Sequence, residues 1–137
     1  MRPGRQRGLS VAQQLVNFRS ERVPPGRGVM RAGGFTWTCT LQPTPLSREY
    51  ELRIEYRLGR PPKVYVDKPD LVALADGRKL PHVYEQSPTR LCLYLPGSGE
   101  WHDRLLVAQT FIPWANLWLF LSTHQFEDCG LTAWNWV

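Results

Sequence analysis

Apolar and polar side chains alternate along two stretches of the chain, residues 35–41 and 50–58. A period of two places one set of side chains on one face of a strand, so both stretches are predicted to be half-buried strands. The short, proline-rich "QPTPLSR" between them favours a hairpin, and "KVYV" at 63–66 would add a third antiparallel strand. The side chains predicted to face the core are Phe35, Trp37, Cys39, Leu41, Tyr50, Leu52, Ile54, Tyr56 and Leu58.

Helical spacing replaces this alternation near the start of the sequence. Ser10 is a suitable N-cap, and Val11, Leu15 and Phe18 then recur at the spacing of one helix face. This pattern predicts an amphipathic helix at 10–22, which ends before "VPPGRG" because that segment cannot continue it.

A second helix is predicted near the other end, within the apolar segment 104–126. Pro113 predicts a break in that segment, with the main helix running over 112–125. Trp114 and Trp118 would then share one helix face against the sheet. Prolines and glycines between 67 and 88 indicate an irregular crossing with strand fragments, and the predicted fold class is α+β.

Residues 89–101, "TRLCLYLPGSGEW", continue a strand pattern but place a cysteine on its polar face. An accessible thiolate there would be a nucleophile. The alternative is a small hydrophobe lining a second core, because cysteine is among the most buried residue types. Cys39, by contrast, shares its face with core residues. In the regular strand, Leu91, Leu93 and Leu95 face the core, while Arg90, Cys92 and Tyr94 face the opposite side.

Composition adds a basic N-terminal region to this pattern. The 137 residues carry a formal net charge of +5, and seven arginines lie within the first 31 residues. No aromatic-rich basic stripe accompanies them, so we expect no nucleic-acid partner. This length predicts a single domain over 1–137, with residues 1–8 as a loose basic lead-in.

The sequence gives no sign of a membrane segment or of a metal site. No apolar run follows the N-terminal charges, and no apolar stretch reaches the ~20 residues that a spanning helix needs. Three cysteines without close spacing do not form a disulfide framework, which favours a cytoplasmic location. No CxxC, HxxxH or HExxH pair is present, so a structural metal is not expected.

The order of features from about residue 9 to 125 resembles the ubiquitin-conjugating enzyme family. That family has an N-terminal helix, an antiparallel meander, a His ten residues before a cysteine in a "Leu-Cys-Leu" context, a tryptophan and a long helix. Here the matching residues are His82, Cys92 and Trp101. A longer run is similar to a bacterial branch encoded in cyclic-oligonucleotide antiphage (CBASS) operons beside a cGAS-like nucleotidyltransferase. The residues of that run are Pro81, His82, Tyr84, Leu91, Cys92, Leu93, Tyr94, Glu100, Trp101, Thr110, Ile112, Pro113, Trp114, Ala115, Trp118 and Leu119.

The resemblance implies a catalytic role for Cys92 and a supporting role for His82. His82 would hydrogen-bond the backbone and shape the approach to the thiol. A Cys–His dyad, in which His82 or His102 takes the proton from the sulfur, is the alternative.

This chain departs from the family after the His, where Val83 and Tyr84 replace the usual Pro and Asn. In the eukaryotic enzymes of the family, that Asn is credited with supporting the transition-state oxyanion. Here the Tyr84 hydroxyl or a backbone N–H is predicted to donate to the oxyanion instead. We expect Arg90 to favour the thiolate of the cysteine, and we predict that Arg90 and Trp101 contact a substrate or partner.

By resemblance, the protein would accept the C-terminal carboxyl of a partner cGAS-like nucleotidyltransferase as a thioester, and no metal or organic cofactor is implied. It would then pass this acyl group to a lysine or similar nucleophile and so tune cyclic-nucleotide signalling during phage defence. Two alternatives keep the same fold. One is a non-catalytic binding scaffold, favoured by the missing Asn, and the other is a small thiol hydrolase that delivers the acyl group to water.

Overall fold

The computed structural model describes residues 8–95 and 97–127, which form one antiparallel sheet flanked by helices. The sheet has the order β1-β2-β3-β4-β6-β5. The predicted α+β class, with an N-terminal helix, an antiparallel meander and a long C-terminal helix, is confirmed. The elements are α1 (Val11–Asn17), β1 (Gly26–Arg31), β2 (Gly34–Leu41), β3 (Tyr50–Arg57), β4 (Lys63–Lys68), α2 (Leu71–Leu74), β5 (Val83–Glu85), β6 (Thr89–Leu91) and α3 (Val107–Glu127).

The predicted alternation places the core on one face of β2 and β3. Every predicted inward residue from Phe35 to Tyr56 is at most 5% exposed. Leu58 is the exception, since its side chain is 57% exposed. It lies one residue beyond the end of β3, and its amide bonds to the carbonyl of Gly33 at 2.9 Å in the turn region. The prediction for Leu58 was wrong because the strand ends before the alternation does.

Ser10 caps α1 as predicted, but the helix is shorter than the predicted range 10–22. The Ser10 hydroxyl accepts from the Gln13 amide, and the Gln13 side chain accepts from the Ser10 amide, which forms a capping box. After Asn17, the amides of residues 18, 19 and 20 each bond to the carbonyl three residues earlier. These i to i−3 hydrogen bonds form a 3₁₀-type turn, and the α-helix ends there.

Strand β1 was not predicted from the sequence. Its inward positions include Gly26 and Gly28, so it carries no apolar alternation. The indole of Trp37 fills the space beside both glycines, because a Cβ at Gly28 would lie 3.2 Å from a Trp37 ring carbon and one at Gly26 would lie 2.7 Å from another. Trp37 therefore supplies from β2 the apolar contact that β1 itself lacks.

Helix α3 begins at Val107, earlier than the predicted start at 112, and Pro113 lies inside it. The side chain of the fully buried Gln14 satisfies the backbone at this start. Its Oε1 accepts from the Val107 amide at 2.9 Å, and its Nε2 donates to the Leu105 carbonyl at 2.8 Å. The predicted break was wrong because α1 supplies this cap and the exposed Pro113 is tolerated in the second turn.

The crossing between 67 and 88 contains the predicted strand fragment, β5, and a short helix that was not predicted, α2. Asp70 caps this helix, since its carboxylate accepts from the amides of Val72 and Ala73 at 3.1 and 3.2 Å. An N-cap aspartate followed by apolar residues is a local signal of a helix start.

The predicted basic lead-in falls almost entirely on residues 1–7, which lie outside the described residues. Within residues 8–95 and 97–127, no helix is both long and apolar enough to cross a bilayer. The single-domain organisation and the cytoplasmic location stay predictions.

The burial of Cys39 leads to a stability prediction. Its side chain is 5% exposed, and burial raises the pKa of its thiol to about 11. We expect Cys39→Ser to lower the free energy of unfolding by about 1 to 3 kcal/mol, because a hydroxyl replaces a buried sulfur. Urea unfolding followed by circular dichroism measures this, with Cys92→Ser as the matched control. A silent Cys39→Ser beside a destabilised Cys92→Ser would contradict the assigned faces.

Candidate active site

Cys92 lies just after β6, at the end of the sheet where β5 begins. Its amide donates to the carbonyl of His82 at 2.9 Å, and the indole N–H of Trp118 donates to the same carbonyl at 3.1 Å. His82 has φ of 51°, a left-handed conformation that is uncommon for residues other than glycine. The two hydrogen bonds hold this strained backbone, and they tie the cysteine to helix α3 through one carbonyl.

The predicted contrast between the two cysteines is confirmed, since Cys39 is buried and Cys92 is half-buried. Leu91 and Leu93 face the core as predicted. The prediction for Leu95 was wrong, because β6 ends at Leu91 and the Leu95 side chain is 69% exposed. The regular alternation therefore holds only to the position just after the cysteine.

The thiol of Cys92 interacts with two tyrosines. Its Sγ donates to the carbonyl of Tyr94 at 3.5 Å, and its hydrogen bond with the Tyr84 side chain is one cause of the raised pKa of that phenol. Burial, and then this hydrogen bond, raise the pKa of Tyr84 to about 12. The phenol therefore stays protonated near neutral pH and remains a donor beside the sulfur.

Arg90 positions this tyrosine. Its guanidinium carbon lies 4.5 Å from the centroid of the Tyr84 ring, which is a cation–π stack. The Nε atom of Arg90 is buried and has no hydrogen-bond partner in the part of the chain that the structure describes. The guanidinium thus stacks on Tyr84 while its Nε–H has no acceptor among the described residues.

Four aromatic side chains anchor the segment after Cys92 to helix α3, and we call them the aromatic cluster: Tyr94, Trp101, Phe111 and Trp114. Trp101 meets Phe111 edge-on with ring centroids 5.1 Å apart, and Tyr94 meets Trp114 at 5.9 Å. Trp118 is fully buried, whereas Trp114 is half-buried in this cluster. The structure therefore places Trp101 in a packing role, and its contact with a substrate or partner stays a prediction.

The structure brings Cys92, His82, Tyr84 and Arg90 together but gives the two histidines different surroundings. The His82 carbonyl, as described, bonds the cysteine backbone, in keeping with the predicted supporting role. His102 is exposed, and its Nδ1 accepts from the Arg104 amide at 3.3 Å within a local turn. The Sγ of Cys92 donates to the Tyr94 carbonyl, and the Cys–His dyad stays a prediction.

Sequence reasoning missed the Trp118 indole as a part of this site. The indole reaches a carbonyl 36 residues away in the chain, and no local pattern reports such a contact. Among the described residues, no group of three or more His, Cys, Asp or Glu side chains is placed to hold a metal ion.

An antiparallel sheet, a long C-terminal helix and a half-buried cysteine at the end of the sheet define a ubiquitin-conjugating-enzyme-like fold. The family model described as Type II CBASS E2 protein matches residues 14–126. The match covers most of the chain, and the chain therefore belongs to the Type II CBASS E2 family, which confirms the resemblance. No curated protein matches the chain.

The different burial of the two cysteines predicts selective alkylation. At about pH 8 we expect iodoacetamide to label Cys92 in the folded protein and to leave Cys39 unlabelled until denaturant is added. The Cys39 thiol is inaccessible, and with a pKa of about 11 it is ionised to about one part in a thousand. Peptide-resolved mass spectrometry measures both sites, and Arg90→Ala tests whether the arginine favours the reactive thiolate. Labelling of Cys92 only after denaturation would mean that the thiol is buried in solution.

Proposed function

We propose that the protein carries an acyl group as a thioester on Cys92 and transfers it to an amine. The observation that carries this proposal is the half-buried thiol at the end of β6, which donates to the Tyr94 carbonyl and interacts with the Tyr84 side chain. Such a sulfur is accessible to a carbonyl substrate and has a protonated donor beside it. Both features suit nucleophilic acyl transfer.

The chemistry proceeds in two displacements. The Cys92 thiolate attacks a carboxyl that has already been activated as a thioester or acyl adenylate, and the activating group leaves as a thiolate or as AMP. A lysine-like amine then attacks the Cys92 thioester, the C–S bond breaks, the sulfur leaves as thiolate, and the amine proton passes to solvent. In both steps the Tyr84 hydroxyl donates to the oxyanion that forms on the carbonyl oxygen.

Family membership supports the choice of acyl donor. The chain belongs to a CBASS family, and the proposed donor is the C-terminal carboxyl of the cGAS-like nucleotidyltransferase encoded in the same operon. Conjugation of that carboxyl would tune cyclic-nucleotide signalling during phage defence. In this family the donor's carbonyl is activated before it reaches the cysteine, so no strong activation of the thiol itself is required.

Co-expression with the operon nucleotidyltransferase tests the proposal. We expect a covalent adduct in denatured samples that DTT removes, and Cys92→Ser should convert it to an adduct that resists DTT, because an oxyester replaces the thioester. A stable complex without any covalent adduct would instead support the binding scaffold. Rapid release of the donor to water, with no transfer to amines, would support the thiol hydrolase.

A further inference from the structure

One end of the sheet carries a group of cations around a cavity. The cavity has a volume of about 270 Å³ and is lined by Glu55, Arg57, Arg60, Pro61 and Lys63, which belong to β3, β4 and the turn that joins them. We call Arg57, Arg60 and Lys63 the basic rim. Arg31, at the end of β1, pairs with Gly34, which in turn pairs with Arg57, so a further cation lies in the same row of the sheet.

The basic rim and Cys92 lie at the same end of the sheet. Strands β4 and β6 are antiparallel, and Tyr65 pairs with Arg90. Lys63 and Cys92 each lie two residues beyond this pair in the direction of the same end. A step of two residues keeps the same face of the sheet, so both positions share the face on which Arg90 lies.

The three cations of the basic rim outnumber the carboxylate beside them. Glu55 is the one carboxylate in the cavity lining. It lies opposite Lys63 in the register of β3 and β4, and it accepts from Nη1 of Arg53 at 2.6 Å. Within residues 8–95 and 97–127, no ion pair joins Arg57, Arg60 or Lys63 to a carboxylate. All three are exposed. A net positive charge around a concave surface attracts an anionic ligand, and guanidinium groups suit carboxylates in particular.

We propose that the basic rim binds an acidic segment of the acyl donor, just upstream of the carboxyl that reaches Cys92. This inference rests on the proposed function and names the donor's chemistry: an extended C-terminal tail with glutamate or aspartate just before its last residue. Lys63 lies level with Cys92, and a strand advances about 3.3 Å per residue, so Arg60 lies up to about 10 Å beyond that level. The acidic side chains would therefore precede the reacting carboxyl by about one to three residues.

Two synthetic peptides with C-terminal glycine thioesters of mercaptoethanesulfonate test this. One peptide carries glutamates at the three positions directly before the terminal glycine, and the other carries glutamines there. The Cys92 thiolate attacks the peptide carbonyl, the bond to mercaptoethanesulfonate breaks, that thiolate leaves, and a peptide thioester forms on Cys92. Intact-protein mass spectrometry follows the loading, with Cys92→Ala as the blank, and no separate activating enzyme is needed.

At low salt we expect the acidic peptide to load about three- to tenfold faster than the neutral peptide. This preference should shrink as NaCl is raised, because the pairs are exposed. It should vanish in Arg57→Gln/Arg60→Gln/Lys63→Gln, while the neutral peptide loads at the wild-type rate and so shows that fold and thiol are intact. Arg27→Gln is the matched control, since Arg27 is exposed near the other end of β1, and it should keep the preference.

Equal loading of the two peptides by the wild type, or a preference that survives in the triple variant, would overturn the inference and leave the proposed function standing. Failure of both peptides to load onto Cys92 would instead refute the proposed function, and the inference with it.

Discussion

Cys92→Ala should abolish the DTT-sensitive adduct with the nucleotidyltransferase completely and leave the fold intact. The thiolate supplies the bond that holds the acyl group, and no neighbouring group replaces it. The side chain is half-buried and small, so its truncation should change the free energy of unfolding by no more than about 1 kcal/mol. Denaturing gels with and without DTT, together with urea unfolding of the same preparation, measure both quantities.

Cys39→Ala is the matched control for that experiment, because it removes a thiol from the core and not from the end of the sheet. It should keep the adduct in whatever fraction of the protein remains folded. An adduct that persists in Cys92→Ala would show that another nucleophile carries the acyl group.

Tyr84→Phe should slow the discharge of the Cys92 thioester to free lysine by about a hundredfold, because it removes a single preorganised donor to the oxyanion. Burial, the largest cause of the raised pKa of this phenol, persists when Cys92 carries the acyl group. A raised pKa keeps the proton on the phenol as pH increases. The ratio of wild-type to variant rates should therefore stay constant from about pH 7 to about pH 9. Single-turnover discharge of preloaded protein, sampled across that range, gives the ratio directly.

Tyr94→Phe provides the comparison, since it removes a hydroxyl from a tyrosine only two residues from Cys92 whose ring packs in the aromatic cluster. We expect its discharge rate to stay within about threefold of the wild type, because the Tyr94 group that contacts the sulfur is the backbone carbonyl, which the substitution keeps. Equal rates for Tyr84→Phe and wild type would assign the oxyanion to a backbone N–H.

Local sequence patterns were enough to predict several elements of this protein. Strands β2 and β3 alternate because one face is buried and the other is not, and this period separates the buried Cys39 from the half-buried Cys92. Ser10 marked the start of α1 because an N-cap hydroxyl satisfies amides within its own first turn. The order of His82, Cys92 and Trp101 indicated the family, which the family model confirms. This order can be read along the chain without any knowledge of contacts.

Other features depend on contacts between residues that are distant in the sequence, and these became visible only in the tertiary structure. The Gln14 side chain caps the start of α3 from 93 residues away, and the Trp37 indole packs beside the glycines of β1. The exposure of Leu58 and Leu95 depends on where strands end, which pairing partners determine and side-chain patterns do not.

The site itself shows the same division between local pattern and distant contact. The sequence could name Tyr84 as a donor, but only packing stacks Arg90 on its ring and brings the phenol and the thiol into interaction. The basic rim is likewise scattered over β3, β4 and their turn, and only the register of the sheet places it at the end that holds Cys92. Hydrogen bonds and charges act through space over a few ångströms, so groups distant in the chain become one site only when the sheet has formed.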